Sequence, residues 1–150
     1  MKSLHKSVLI WYSPKQMFDV VTDVARYQDF LPWCHESQVI EQSTENMKAS
    51  IGMQLAGFKQ GFTTHNQHVT KADGGLVVQM ELLDGPFSKL GGTWSFDPIS
   101  GSSTPACKVT LDLRYEIKST LLQMAIGSAF DKIASSLVDA FIERAKKIYA

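Results

Sequence analysis

The last segment of the chain, residues 120–149, repeats apolar side chains at steps of three and four positions. That spacing puts them on one stripe of a helix that would be about 45 Å long, at about 1.5 Å per residue. A helix this long needs a broad apolar partner surface to be stable. We also expect Thr120 and Gln123 to form a capping box at its start. The stripe consists of Leu122, Ile126, Phe130, Ile133, Leu137, Phe141, Ala145 and Ile148.

The middle of the chain alternates apolar and polar residues, which is the period-two pattern of half-buried β-strands. Every odd position from 109 to 117 is apolar, and residues 46–55 alternate in the same way. Because these strands follow one another with no helix between them, the sheet should be antiparallel. Further extended segments are predicted over residues 2–11, 39–42, 58–70, 76–83 and 90–96.

Two short helices are predicted after the first strand. Ser13 can cap the first of them, Pro14 suits its first position, and Gln16 completes a capping box. We expect Asp23 to cap the second, which should run to about residue 30. The sequence therefore predicts an α+β fold in a single domain over residues 1–150. In this fold a curved antiparallel sheet of about six to seven strands wraps around the long C-terminal helix.

The composition limits which kinds of partner the protein can bind and in which cellular compartment it is expected. The 15 Lys and Arg residues balance 15 Asp and Glu residues, so no net field attracts the chain to DNA or to an anionic membrane. Cys34 and Cys107 form no CxxC pair and suit a reducing compartment. No signal-peptide pattern precedes the first strand, and no apolar run approaches about 18 residues. We expect a cytoplasmic protein whose membrane contact, if it has any, is peripheral to the inner membrane and transient.

The chemistry-bearing residues predict neither a metal site nor a catalytic residue. His65 and His68 form an HxxH pair, but residues three apart on a strand point to opposite faces. Cys34 and His35 also diverge in an extended chain. The sequence contains no GxSxG elbow and no phosphate-binding loop followed by a helix. Since residues distant in sequence can still meet in space, an enzyme of the cyclase or hydrolase kind is kept as a minor alternative.

Apolar side chains are the remaining candidates for a site. Methionines and aromatic residues fall mostly on predicted inner faces, where flexible thioethers and flat rings fill irregular space. A long helix across a curved sheet leaves a space that either fills with side chains or holds a ligand. The candidate hydrophobic-cavity residues are Phe30, Leu31, Trp33, Met53, Phe62, Met80, Phe87, Trp94, Tyr115, Ile126, Phe130 and Leu137.

The stretch FLPWCHES, residues 30–37, should connect the short helices to the second strand. We expect Trp33 to face the cavity or its rim, Cys34 to be a small buried filler, and His35 and Glu36 to lie in solvent. Trp33, Tyr115 or an inner-face threonine is expected to supply hydrogen-bond donors to the polar end of a ligand.

Five short motifs, in this order and spacing, resemble the Coq10/RatA-like branch of the START-like, or polyketide-cyclase-like, superfamily. The resemblance covers nearly the whole chain, and a first strand so close to the start is similar to bacterial members. It implies a helix-grip fold with a cavity between helix and sheet. The motifs are DVARYQDFLPWC (23–34), FTTHN (62–66), DGPF (84–87), LGGTWSF (90–96) and AFIERAKKIYA (140–150).

The resemblance implies two functional hypotheses. Coq10-type members bind ubiquinone and support respiratory electron flow without catalysis. Some bacterial members are toxins that bind the large ribosomal subunit and block association of the 70S ribosome. Each buried methylene contributes about 0.8 kcal/mol, so a neutral chain with apolar walls favours a ubiquinone or another isoprenoid lipid and no required cofactor. Ribosome binding, which favours a basic surface, is the alternative.

Overall fold

The computed structural model describes all residues from Met1 to Ala150. The elements follow in the predicted order: one strand, short helical segments, six strands and one long helix. Their bounds are β1 (Lys2–Ile10), α1 (Pro14–Thr22), a 3-10 turn (Val24–Arg26), α2 (Tyr27–Phe30), β2 (Cys34–Gln42), β3 (Asn46–Leu55), β4 (Phe58–Thr70), β5 (Leu76–Asp84), β6 (Phe87–Pro98), β7 (Cys107–Ile117) and α3 (Thr120–Ile148).

The seven strands form one sheet in the order β1-β7-β6-β5-β4-β3-β2, and every neighbouring pair is antiparallel. The segment that contains α1 and α2 crosses from the β1 edge to the β2 edge. The chain then returns strand by strand until β7 pairs with β1. The predicted α+β architecture, with a curved sheet around the C-terminal helix, is confirmed.

The helix α3 packs an apolar face on the inner face of the sheet. The predicted stripe is buried at Ile126, Phe130, Phe141 and Ala145. Its member Ile148 is 46% exposed, which corrects the prediction, and Ala134 and Val138 are buried where Ile133 and Leu137 are half-buried. Buried and exposed residues alternate along the whole of β7, as the period-two pattern predicts. Twenty-seven buried residues from the sheet and the helices form one hydrophobic cluster. The end of α3 is tied to α1, because the Tyr149 hydroxyl donates a hydrogen bond of 2.9 Å to the Gln16 carbonyl. None of the helices is long and apolar enough to cross a bilayer.

The structure tests the three predictions of which residues cap the helices. The box at α1 is confirmed, since Ser13 Oγ accepts from the Gln16 N–H at 3.1 Å and Gln16 Oε1 accepts from the Ser13 N–H at 2.8 Å. The cap at Asp23 is wrong. Its side chain makes no capping hydrogen bond, and its backbone, with ψ near 64°, is not in the extended conformation that a cap requires.

The start of α3 differs from the predicted box by one residue. Ser119 is the N-cap, with an extended backbone and a side chain that accepts from the Leu122 N–H at 3.1 Å. The predicted partner Gln123 lies instead over Gly127, where a Cβ atom would collide with its amide. Gly127 therefore leaves the room that the Gln123 side chain occupies.

Replacing the N-cap of α3 should destabilise the fold. We expect Ser119→Ala to lower the free energy of unfolding by about 1 kcal/mol, because the Leu122 N–H loses its acceptor. Thr120→Ala, one residue later, is the matched control and should lower it by less than half as much. Urea unfolding followed by circular dichroism measures both, and equal losses in the two variants would contradict the assignment of the cap.

Candidate functional site

A cavity of about 90 Å³ lies between α3 and the inner face of the sheet. Fifteen of the 18 residues around it are hydrophobic. The predicted space between helix and sheet is therefore mostly filled with side chains, and a small apolar void is left. The lining consists of Val24, Tyr27, Trp33, Ala49, Ile51, Met53, Phe62, Thr64, Asn66, Met80, Leu90, Gly91, Trp94, Leu113, Phe130, Ile133, Leu137 and Phe141.

Two aromatic clusters that involve α3 lie at the two ends of the cavity. The ring of Phe130 packs against Phe87 and Tyr115, at centroid distances of 5.0 and 4.8 Å. Three helical turns later, the ring of Phe141 packs edge-on against Trp94 at 5.4 Å. These clusters hold the helix to the sheet at two places, and the cavity lies between them.

Seven of the twelve predicted site residues line this cavity. They come from distant parts of the chain and meet because β3 to β6 and α3 present their inner sides to one another. Their position is established, and their contact with a ligand stays a prediction. They are Trp33, Met53, Phe62, Met80, Trp94, Phe130 and Leu137.

The other five predicted residues do not line the cavity, which corrects their assignment, because they pack within the core instead. Phe30 lies edge-on to Phe141 at 5.7 Å and under the Arg144 guanidinium at 4.9 Å, near the end of α3. Phe87 packs on Phe130, which itself faces the void. All five belong to the core or pack directly against it: Phe30, Leu31, Phe87, Tyr115 and Ile126.

The Tyr115 hydroxyl is already engaged. It donates to Asp131 Oδ1 at 2.6 Å, and Lys2 also donates to the Asp131 carboxylate. Burial, followed by the bond to Asp131, raises the pKa of Tyr115. Burial opposes ionisation of Asp131, but the hydrogen bonds from Lys2 and Tyr115 outweigh it and lower the pKa of that carboxyl. The prediction that Tyr115 offers a donor to a ligand is therefore wrong.

Neither thiol is set up as a nucleophile. Cys34 is buried and its Sγ lies 3.4 Å from the Glu36 carbonyl, as the small filler that the sequence predicts, while His35 and Glu36 are exposed. Burial raises the pKa of the Cys34 thiol. Burial, with a contribution from Asp97, raises the pKa of Cys107 to about 11. Both sulfurs are protonated near neutral pH and react slowly.

The structure adds two polar residues: Thr64, which is the inner-face threonine that was expected without a number, and Asn66, which the sequence analysis missed. Thr64 and Asn66, on the inner face of β4, are only 6% and 7% exposed and line the cavity. Period two offered a signal, since Phe62 was predicted to face inward and residues 64 and 66 share its face. The apolar residues that were missed are Val24, Tyr27, Ala49, Ile51, Leu90, Leu113, Ile133 and Phe141, and Gly91 completes the wall.

Asn66 carries an unsatisfied polar atom. Its Oδ1 is buried and has no hydrogen-bond partner. The residues opposite it on the two neighbouring strands are Met47 and Met80, whose thioethers have no hydrogen to donate. A buried acceptor without a partner costs about 1–3 kcal/mol, so a donor that reaches this atom stabilises the protein.

The two histidines of β4 diverge as predicted. His65 hydrogen-bonds Asn46 Oδ1 at 3.0 Å. His68 packs edge-on against Phe18 at 5.1 Å, and its Nε2 is buried without a partner. Burial lowers the pKa of His68. No group of three His, Cys, Asp or Glu side chains is arranged to hold a metal ion.

The cavity lining offers binding rather than proton transfer. It contains no carboxylate, lysine, arginine, histidine or cysteine. Its one titratable residue is Tyr27, whose hydroxyl donates to the Val21 carbonyl and whose pKa is raised, chiefly by burial. The walls can therefore enclose an apolar molecule, and Thr64 and Asn66 can hydrogen-bond a polar group on it.

A larger groove, of about 610 Å³, lies on the outer face across β1, β7, β6 and β5. Only three of its 11 lining residues are hydrophobic. Its floor is low because Gly91 and Gly92 have no side chains, and a Cβ on Gly92 would lie 2.7 Å from the Asp112 carbonyl oxygen. This surface is polar and open to water, so the inner cavity is the better candidate for enclosing an apolar ligand.

Comparison with known proteins places the chain in a family. Residues 10–142 match the family described as polyketide cyclase / dehydrase and lipid transport. The chain is 43% identical over 149 residues to the ribosome association toxin RatA of Vibrio cholerae, covering 99% of both proteins. It is 30% identical over 143 residues to the mitochondrial coenzyme Q-binding protein COQ10 of Drosophila melanogaster, covering 95% of this chain and 57% of that protein.

Solved structures share the fold. The chain superposes on the Zhui aromatase/cyclase of a Streptomyces species with a TM-score of 0.79, covering 99% of this chain and 96% of that one at 12% identity. At this identity the likeness concerns the backbone architecture and not the residues of the site.

The burial of His68 predicts a loss of stability in acid. The pKa of its imidazole is about 6.5 in an unfolded chain and lower in the fold, so stability falls as pH drops below about 6.5 towards the folded value. We expect His68→Leu to lose less unfolding free energy than the wild type between about pH 7.5 and pH 5. His65→Leu is the control on the opposite face and should keep the wild-type dependence. Urea titrations measure all three, and identical pH dependence in His68→Leu and wild type would contradict the prediction.

Proposed function

This chain belongs to the polyketide cyclase / dehydrase and lipid transport family, and from that membership we propose that it is a non-catalytic binding protein for a small apolar molecule. The class of ligand that fits best is an isoprenoid lipid such as a quinone. The observation that carries the proposal is the inner cavity, in which 15 of 18 lining residues are hydrophobic and none is charged. The relative named for coenzyme Q binding supports the quinone class.

The cavity has to enlarge to take such a ligand. Its volume of about 90 Å³ is smaller than the roughly 150 Å³ that admits benzene and well below the roughly 300 Å³ of a small ligand site. Met53 and Met80 in the lining have flexible thioethers that adapt to different contents. Several lining side chains are only half-buried and can rotate outward: Trp33, Ile51, Phe62, Met80, Leu90, Ile133 and Leu137.

The energetics favour apolar contact. Each methylene that leaves water contributes about 0.8 kcal/mol, so a tail of a few isoprene units offsets the cost of moving the half-buried side chains. The absence of an acid, base or nucleophile in the lining supports a binding role instead of a cyclase reaction. We place this activity in the cytoplasm, with loading from a membrane by transient contact.

Association with the large ribosomal subunit is the second candidate. Relatives at 36–43% identity over nearly the whole chain are named ribosome association toxins, whereas the COQ10 relative is less similar and is matched over 57% of its length. These names favour the ribosome more than the sequence alone did. The two functions are compatible, because one uses the interior and the other the surface.

The surface gives this second candidate modest electrostatic support. Six of the 15 lysines and arginines pair with carboxylates. Among the others, Lys132 and Lys147 lie exposed on α3, and Arg144 stacks on Phe30. Unpaired cations of this kind can contact phosphates, with an affinity that falls as salt rises.

Filling the cavity should abolish ligand uptake. We expect Leu137→Trp, at the half-buried edge of the lining, to reduce bound lipid at least about tenfold, because the indole occupies the space that the ligand needs. Leu121→Trp is the matched control on the same helix, at a side chain that is 78% exposed, and should bind like the wild type. Solvent extraction of protein purified from its native host, followed by mass spectrometry, measures the lipid.

A second assay makes the ligand proposal decisive. Purified wild-type protein should take up ubiquinone with a two-isoprene tail in vitro. If the wild type carries no lipid from the host and also takes up none of this quinone, ligand binding is wrong for this chain.

The ribosome candidate has its own test. Purified protein mixed with isolated large or small subunits should co-sediment with the large subunit in a sucrose gradient, and the bound fraction should fall between about 50 and 200 mM salt. Leu137→Trp should sediment like the wild type, since the cavity is not the contact surface. Failure to sediment with either subunit at the lower salt would contradict this candidate.

A further inference from the structure

We propose that Asn66 selects the ligand by accepting a hydrogen bond from it, so that the preferred molecule is an apolar chain with a neutral hydroxyl at the end that enters the cavity. A prenyl alcohol or a quinol carries such a hydroxyl, and a plain hydrocarbon does not. An oxidised quinone can only accept a hydrogen bond, from the amide N–H₂ of Asn66, and leaves Oδ1 without a donor. The inference rests on the proposed function, because it concerns the same cavity and names the class of head group.

The residue Asn66 is part of the cavity wall, and its side chain carries an acceptor without a partner. Asn66 is 7% exposed, it lines the cavity, and its Oδ1 is buried without any hydrogen-bond partner. Most buried side-chain oxygens in proteins do have a partner. A ligand hydroxyl or an ordered water has the donor that this atom can accept from.

No donor of the surrounding chain makes a hydrogen bond to Oδ1. Met47 and Met80 lie opposite Asn66 on β3 and β5, and thioethers cannot donate. The polar neighbour on the same face of β4 is Thr64, whose opposite residues are Ala49 and Leu82. Since no side chain satisfies Oδ1, a molecule in the cavity can supply the donor.

The head group should be neutral. The lining has no charged side chain that would compensate an ion, and an unpaired charge in such a place is strongly disfavoured. A phosphate or an ammonium group is therefore excluded by the same walls that favour a hydroxyl.

The difference in burial between the two ends of the cavity predicts the orientation of the ligand. Asn66 is almost fully buried, whereas Phe62, on the same face of β4 about 13 Å along the strand at about 3.3 Å per residue, is half-buried. Trp33, which is also half-buried, precedes β2, and its carbonyl accepts from the Gln54 N–H near the end of β3. The hydroxyl thus lies at the Asn66 end, and the tail extends towards Phe62 and Trp33.

A matched pair of probes tests this inference: farnesol, and farnesyl methyl ether, which has the same chain but no hydrogen to donate. Trp33 and Trp94 line the cavity, so intrinsic fluorescence reports its occupancy. The wild type should bind farnesol about threefold to tenfold more tightly than the ether, the range of one neutral hydrogen bond. Leucine is similar in size to asparagine but cannot hydrogen-bond. In Asn66→Leu the ratio of farnesol affinity to ether affinity should therefore fall to about one, while the ether still binds.

The chain contains one other asparagine, Asn46, whose side chain bonds His65 and which is exposed. Asn46→Leu is therefore the matched control and should keep the preference for farnesol. Thermal unfolding of the empty proteins adds a second readout, because Asn66→Leu removes an unsatisfied group and should unfold at the same or a higher temperature than the wild type.

The outcomes separate the inference from the function on which it rests. Binding of both probes with equal affinity by the wild type, or a preference for farnesol that survives in Asn66→Leu, overturns the role of Asn66 but leaves apolar binding intact. A marked destabilisation of the empty Asn66→Leu protein with no change in the ratio assigns Asn66 to an internal water and also overturns it. If the wild type binds neither probe, the proposed function fails and the inference fails with it.

Discussion

The attachment of α3 to the sheet by two aromatic clusters is the contact on which the rest of the structure depends. Phe130 and Phe141 lie about 16 Å apart along the helix, and each packs against rings from the sheet, Tyr115 in one case and Trp94 in the other. Between them α3 presents Ile133 and Leu137 to the cavity. The rings hold the backbone off the strands while these aliphatic side chains do not fill the distance, and a void results.

The void explains why polar residues can occupy the inner face of β4, where they would otherwise lower stability. An inner strand face that packs against a helix is stabilised by apolar side chains, yet β4 places Thr64 and Asn66 there. The unsatisfied Oδ1 of Asn66 lowers stability in the empty protein. Departures from good packing of this kind are expected where a site binds something.

The differences between prediction and structure have definite physical causes. Ser119 takes the capping position predicted for Thr120, because capping depends on which residue is extended and not only on spacing. Phe87 and Tyr115 point inward as predicted but pack behind Phe130, since an inward direction does not say what lies in front of a ring. Asn66 was overlooked because attention to apolar residues hides a polar side chain on a buried face.

The sequence by itself determined the types and order of the elements, the antiparallel sheet and most of the apolar stripe of the last helix, because periods of 2 and 3.6 are local properties of the backbone. It also supplied seven of the residues around the cavity. Only the tertiary structure decided which inward side chains border a void and which are covered, and how small that void is. Those outcomes depend on where rings from distant segments meet, such as Phe130 with Phe87, and no local pattern encodes that packing.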